Sequence, residues 1–189
     1  MREVPDSQEV FVDATSGASV IVELVERADV QVSSHSLRTG AELTPAPQDE
    51  GSAAYFWGDA ASLNDCGDAV RSRWLPAAGA PLTLGFQVCD CSQPLDLGEL
   101  PHLASAAAAA SLACGVQAPR AVQPGRSPLP PAYVCLACVR LPRVGTDLLL
   151  TLHVPPAGSP QAAETARALL LGVLRSLQVV DWTLFCAKQ

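Results

Sequence analysis

Arg2, Asp6, Gln8 and Glu9 fall within one short turn, and Glu23 and Glu26 lie a little further along. Carboxylates grouped like this can help hold a metal, act as acid and base, or meet a cationic surface. The sequence favours neither of the first two. Cys135-Leu-Ala-Cys138 is a C-x-x-C, but zinc sites use two such pairs, or one pair with two histidines. This pair also lies inside a strand pattern, where residues three apart face opposite ways. Cys89-Asp-Cys91 is equally poor as a ligand set. His35, His102 and His153 stand in no spacing that suits a nucleophile or a metal. There is no G-x-S-x-G, and Ser16-Gly17-Ala18-Ser19 does not replace it. There is no G-x-x-x-x-G-K-[ST] phosphate cradle. No catalytic residues, metal or cofactor are therefore expected. Composition alone favours reading the acidic and polar set as a solvated turn and a solvated helix face.

The elements that would position this set can be read along the chain. Pro5-Asp6-Ser7 suits a turn, and Val10–Val12 a short strand. Asp13–Gly17 reads as a loop whose Ser16 or Gly17 caps the next element. Over 19–27, Val20, Ile21, Leu24 and Val25 recur at helical spacing, which would put Glu23 and Glu26 on one helix face. Residues 39–53 read as a loop and Tyr55–Trp57 as the start of a strand. Residues 58–81 give no decisive pattern. Leu82, Leu84, Phe86 and Val88 alternate as in a strand. The alanine tract Leu103–Cys114 has high helix propensity, and reads as a closely packed helix or as an insertion. Residues 119–131 are proline-rich and extended. Pro130-Pro-Ala-Tyr133 and Arg126–Pro131 loosely match ligands of WW and SH3 modules.

The later elements are clearer. Tyr133, Cys135, Ala137, Val139 and Leu141 share one strand face, as do Leu148, Leu150, Leu152 and Val154 on a second strand. The intervening turn predicts an antiparallel hairpin, and the second strand is apolar on both sides, as a central strand is. Ser159-Pro160 opens a helix whose stripe is Ala166, Leu169, Leu170, Val173, Leu174 and Leu177. Trp182, Leu184 and Phe185 form an apolar tail. No repeat is present.

Composition sets the outer bounds. The 189 residues suit one domain, and 49% are hydrophobic. A chain this long can bury roughly 70% of its unfolded surface. A net charge of −7 argues against non-specific nucleic-acid binding and suits a basic protein partner. Seven cysteines without a signal peptide point to a reducing compartment. No membrane insertion is expected, because the longest weakly polar run is alanine-rich and short of about 20 strongly apolar residues.

"REVPDSQEVFV" resembles a motif of the Ran guanine nucleotide release factor family. "SVIVELVE" (19–26), "VRLPRVGTDLLLTLHVP" (139–155, with His153 where asparagine is usual) and "LQVVDWTLF" (177–185) resemble further blocks in the same order. "YFWGDAASLND" (55–65) is a weaker match. The resemblance implies a three-layer α/β/α sandwich around a mostly antiparallel sheet, as in PsbP. It implies binding to the GTPase Ran and release of its guanine nucleotide, in support of nuclear transport, in nucleus and cytoplasm. The implied binding residues are Arg2, Asp6, Gln8, Glu9, Glu23 and Glu26. The alternative is an adaptor without exchange activity that helps traffic a membrane protein such as a voltage-gated sodium channel. Two departures stand out. Family members carry a further N-terminal segment that forms the first strands, and Met1 falls where it should end. An Ala/Pro-rich insertion also occupies about 103–131 of the expected single 1–189 domain.

Overall fold

The structure is a computed structural model that describes residues 7–27, 51–64, 66, 86–118, 131–155 and 160–185. Its centre is a six-stranded antiparallel sheet. The strands are β1 (Gln8–Val12), β2 (Ser19–Glu26), β3 (Phe86–Pro94), β4 (Ala109–Ala118), β5 (Ala132–Leu141) and β6 (Thr146–Val154). Their order across the sheet is β1-β2-β6-β5-β4-β3. Helix α1 (Ser52–Leu63) packs on one face and α2 (Pro160–Ser176) on the other, giving three layers of mixed α/β structure.

The predicted hairpin is present as β5 and β6, in the centre of the sheet. Tyr133 lies opposite Val154, Cys135 opposite Leu152 and Ala137 opposite Leu150. Leu148, Leu150 and Leu152 enter the core under α2, while Leu149 enters the core under α1, so β6 is apolar on both sides. Cys135 and Cys138 likewise belong to the two different cores. Tyr133 is buried in β5. The predicted C-terminal helix is α2, with Ala166, Leu170 and Leu174 buried. Leu169 of the predicted stripe is instead half exposed. Ser159, most of the proline-rich stretch 119–131, most of 39–53, most of 65–81 and Leu82–Gly85 lie outside the described residues.

Three local expectations are corrected. Residues 19–26 form strand β2 rather than a helix. Val20, Val22 and Leu24 pack towards the α2 core and Val25 towards the α1 core. A strand with apolar residues on both faces gives a continuous apolar run that also satisfies helical spacing. Its β-branched residues then decide for the strand. Tyr55–Trp57 belong to helix α1, which buries Ala53, Phe56, Trp57 and Ala61 at helical spacing. The alanine tract is not a helix: residues 101–106 form turns, and Ala109–Ala118 is an interior strand of the sheet.

The composition of β4 has a packing reason. On its α1 side it presents Ser111, Ala113 and Gly115, residues small enough for the helix to come close. The N-cap of α1, Gly51, makes no side-chain cap, and the Ala53 N–H donates instead to the Ser111 hydroxyl at 3.0 Å. Gln117 ties the same helix further along. Its Nε2 donates to the Trp57 carbonyl at 3.3 Å, and its Oε1 accepts from Asn64 at 3.4 Å. At Gly115 the neighbouring β3 backbone also comes close. An added Cβ would lie 2.0 Å from the Val88 carbonyl oxygen, next to the bulge between Cys89 and Cys91. The Tyr133 hydroxyl donates to Asp90 in that bulge at 3.1 Å.

The β5–β6 hairpin contains a buried ion pair. Arg140 and Asp147 face each other across the strands and are 2% and 0% exposed. Arg140 Nε donates to Oδ1 and Nη2 to Oδ2 of Asp147, each at 3.1 Å. Gly145, at φ 61, turns the chain between them, and its carbonyl accepts from the Arg27 N–H at 3.0 Å. The Arg140 carbonyl accepts from Ala108 N–H at 2.9 Å.

Asp147→Ala leaves a guanidinium buried without its carboxylate and should destabilise the fold by about 3–5 kcal/mol in denaturant unfolding. Replacing both partners, Arg140→Met with Asp147→Leu, should recover most of that loss. Gly115→Ala should cost about 1–3 kcal/mol, because the obstructing atom is backbone and cannot swing aside. The loss should be accompanied by faster amide exchange along β3.

Candidate functional site

Gln8, Glu9, Glu23 and Glu26 lie on the β1–β2 hairpin at one edge of the described sheet. Its loop is closed by Asp13. The Asp13 carboxylate accepts the Thr15 N–H at 2.9 Å and the Ser16 hydroxyl at 2.6 Å, while Ala18 N–H donates to Ser16 Oγ at 3.2 Å. Gly17 supplies the left-handed backbone the turn requires, at φ 71. Ser16 and Gly17 thus close a hairpin rather than cap a helix. The bond from Ser16, with that from Thr15, holds the Asp13 carboxyl below its ordinary range.

The hairpin register then determines where the other residues point. Gln8 lies opposite Glu23, and Glu23 lies opposite Leu149 of β6. Gln8 Nε2 donates to Glu23 Oε1 at 2.9 Å, so two residues fifteen apart in the chain form one contact. Both are partly buried. Burial raises the Glu23 carboxyl above its ordinary range. Glu9 lies opposite Val22 and Glu26 opposite Thr146; both are exposed. Because strand side chains alternate, Glu9 and Glu26 project from the α2 side while Gln8 and Glu23 project from the α1 side. The expectation that Glu23 and Glu26 share a face fails together with the helix. Arg2 and Asp6 lie outside the described residues.

Three features of this edge were not anticipated. Val10, Phe11 and Val12 are 41%, 60% and 65% exposed, an apolar run on an edge strand. The described hairpin, residues 7–26, carries Glu9, Asp13, Glu23 and Glu26 and no basic side chain. The third is the split of the carboxylates between faces, which comes from the segment being a strand. His153, on β6 opposite Ser19, is held neutral-leaning by burial. Among the described residues no group of three His, Cys, Asp or Glu side chains could hold a metal ion, and no helix is long and apolar enough to cross a membrane.

The family model described as "Ran-interacting Mog1 protein" matches residues 1–155. The chain belongs to this Mog1 family. The matched stretch contains the acidic hairpin and the whole sheet, and the C-terminal block at 177–185 lies beyond it. Among solved structures, the 1.9 Å crystal structure of the Ran-binding protein Mog1p of Saccharomyces cerevisiae is similar, with TM-score 0.53 and 19% identity over 98% of this chain and 86% of that one. A Mog1 protein carrying a single glutamate-to-alanine substitution is similar too, with TM-score 0.52, 19% identity and the same coverage. At this identity the likeness is one of fold, and it covers almost the whole chain. No curated protein matches the chain.

The raised Glu23 carboxyl has a direct consequence for stability. Its protonated form is favoured in the folded state, so its stabilising contribution is full below the unfolded value near 4.5. That contribution is lost as pH rises through the higher folded value. Glu23→Gln should therefore flatten this part of the pH profile and, at neutral pH, leave the fold at least as stable as wild type. Denaturant midpoints of both proteins from acid to neutral pH measure it.

Proposed function

We propose that this chain binds Ran through the β1–β2 hairpin and promotes release of its guanine nucleotide, serving nuclear transport in nucleus and cytoplasm. Membership of the Mog1 family supports Ran as the partner. The observation that carries the choice of surface is the Gln8–Glu23 contact. It places a partly buried carboxylate beside the edge of a hairpin that has no basic side chain of its own. Arg2, Asp6, Gln8, Glu9, Glu23 and Glu26 are the proposed contacts. Nothing in the fold favours the alternative of a trafficking adaptor.

The action is by binding and needs no covalent step in this chain. A release factor binds nucleotide-free GTPase more tightly than the loaded form, and that ratio equals the loss in nucleotide affinity. A GTPase holds phosphate through a lysine, backbone N–H groups and Mg²⁺. A carboxylate offered to those groups competes with the phosphate. Glu23 suits this role because Gln8 fixes its position and partial burial has already removed some of its water. Glu9 and Glu26, more exposed, suit the rim of the contact.

Glu23→Ala should weaken Ran binding by about 2–5 kcal/mol, and Glu9→Ala by much less, with circular dichroism unchanged for both. The readout is the off-rate of a fluorescent guanine nucleotide from Ran with each protein added. A wild-type protein that binds Ran but leaves that off-rate unchanged contradicts the release activity. Unchanged binding of both variants contradicts the surface.

A further inference from the structure

We infer that Cys91, Cys114 and Cys135 form an oxidisable row that takes a small disulfide such as oxidised glutathione as its substrate and ends with a cross-strand bond between Cys114 and Cys135. The row lies on β3, β4 and β5, away from the β1–β2 hairpin, and is independent of the partner reading above.

The sheet register puts the three residues side by side. Cys91 lies opposite Cys114, and Cys114 opposite Cys135. All three pack into the core under α2. Leu95 N–H donates to the Ala110 carbonyl at 2.8 Å, and that contact sets the phase of the β3–β4 ladder. In an antiparallel pair, bonded and non-bonded residues alternate. Ala110, Leu112 and Cys114 therefore turn their main-chain groups towards β3, which leaves Cys114 and Cys135 as a non-bonded pair. The Cα atoms of a non-bonded pair are about 4.5 Å apart, and those of a bonded pair about 5.5 Å. Both separations fall in the range that a disulfide spans, about 4.4–6.8 Å. The Cys114 and Cys135 thiols are already in hydrogen-bond contact. Cys89 and Cys138 are placed differently, the first opposite Gly115 and the second opposite Ser111 and Leu149.

Burial grades the row. Cys91 is partly exposed, whereas Cys114 and Cys135 are 0% exposed. Burial holds the Cys91 thiol above its ordinary range, and the hydrogen bond with Cys135, together with burial, does the same for Cys114. The Arg167 guanidinium of α2 opposes the rise at both. At Cys89 burial pushes the thiol up to about 11. The thiolate is the attacking species, so exchange is slow at neutral pH and starts at Cys91. The Cys91 thiolate attacks one sulfur of the small disulfide, and the other sulfur leaves as a thiolate. The Cys114 thiolate then attacks the Cys91 sulfur and expels the second small thiolate. Last, the Cys135 thiolate attacks the Cys114 sulfur and Cys91 leaves. The protons given up by Cys114 and Cys135 end on the two small thiols, and Cys91 regains its own. Two protein thiols are oxidised and one small disulfide is reduced. The final bond joins β4 to β5 across the proline-rich connection and constrains the unfolded chain. In a reducing compartment such a bond is transient and follows the state of the thiol pool.

The test treats the full chain with oxidised glutathione under native conditions and maps the products as non-reduced peptides by mass spectrometry. The wild type should lose two hydrogens, with Cys114 joined to Cys135 and Cys91 free. Its midpoint of thermal unfolding should rise by about 5–10 °C and fall back on reduction. Cys91→Ser should slow formation of this bond about tenfold and give the same final product. Cys135→Ala should leave Cys91 joined to Cys114, and Cys89→Ser should change neither rate nor product. If Cys135→Ala disturbs the core, the wild-type map and the Cys91→Ser rate still decide. A final bond between Cys91 and Cys114 in the wild type, a glutathione adduct as the sole product, a bond between two chains, reaction only in denaturant, or an unchanged rate in Cys91→Ser would each overturn the inference.

Discussion

The Arg140–Asp147 pair fixes the register on which the rest of the sheet depends. A one-residue slip of β6 against β5 would turn every side chain to the other face. It would also leave a guanidinium and a carboxylate buried without each other, a far larger penalty than an apolar mismatch. The pair sits where β5 and β6 meet at their turn, and the strands on either side are aligned from it. β2 reads its register from β6, with Val25 opposite Asp147, and β1 reads its register from β2. β4 reads its register from β5, with Ala109 opposite Arg140. The meeting of Gln8 with Glu23 at the far edge is thus a consequence of a charge pair two strands away.

The second constraint is size. β4 pairs with β5 on one side and β3 on the other, and lies beneath α1. Ser111 and Gly115 answer different demands from these neighbours. Ser111 supplies the cap that Gly51 does not, whereas Gly115 leaves room for the β3 backbone at the bulge. The other side of β4 faces the α2 core with Leu112 and Cys114, where bulk is useful. An alternation of small with large residues, rather than polar with apolar, is what the alanine tract encodes.

Much of the fold was legible in the sequence. The β5–β6 hairpin and α2 were readable because their periodicities run long and have clear ends. The antiparallel sheet between helices matched what the resemblance implied. β2, α1 and β4 were misread for separate physical reasons. β2 is apolar on both faces, so strand and helix templates fit it equally. α1 carries in its first turns the aromatics Tyr55, Phe56 and Trp57, which favour strands in isolation, and its cap comes from a strand 58 residues away. In β4, tertiary packing overrode the helix propensity of alanine. The candidate residues could be picked out by type and grouping. Their division between two faces could not, because it depends on reading β2 correctly.

The two outer strands of the described sheet are built differently. β3 ends at Pro94, contains a bulge, and exposes Asp90 and Ser92. These are the devices that keep a strand from pairing further. β1 at the opposite edge is regular and apolar at three consecutive exposed positions. Glu9 and Glu26 lie on one face of the hairpin and Glu23 on the other, so the register of β2, and not the spacing of these residues along the chain, decides which carboxylates share a face.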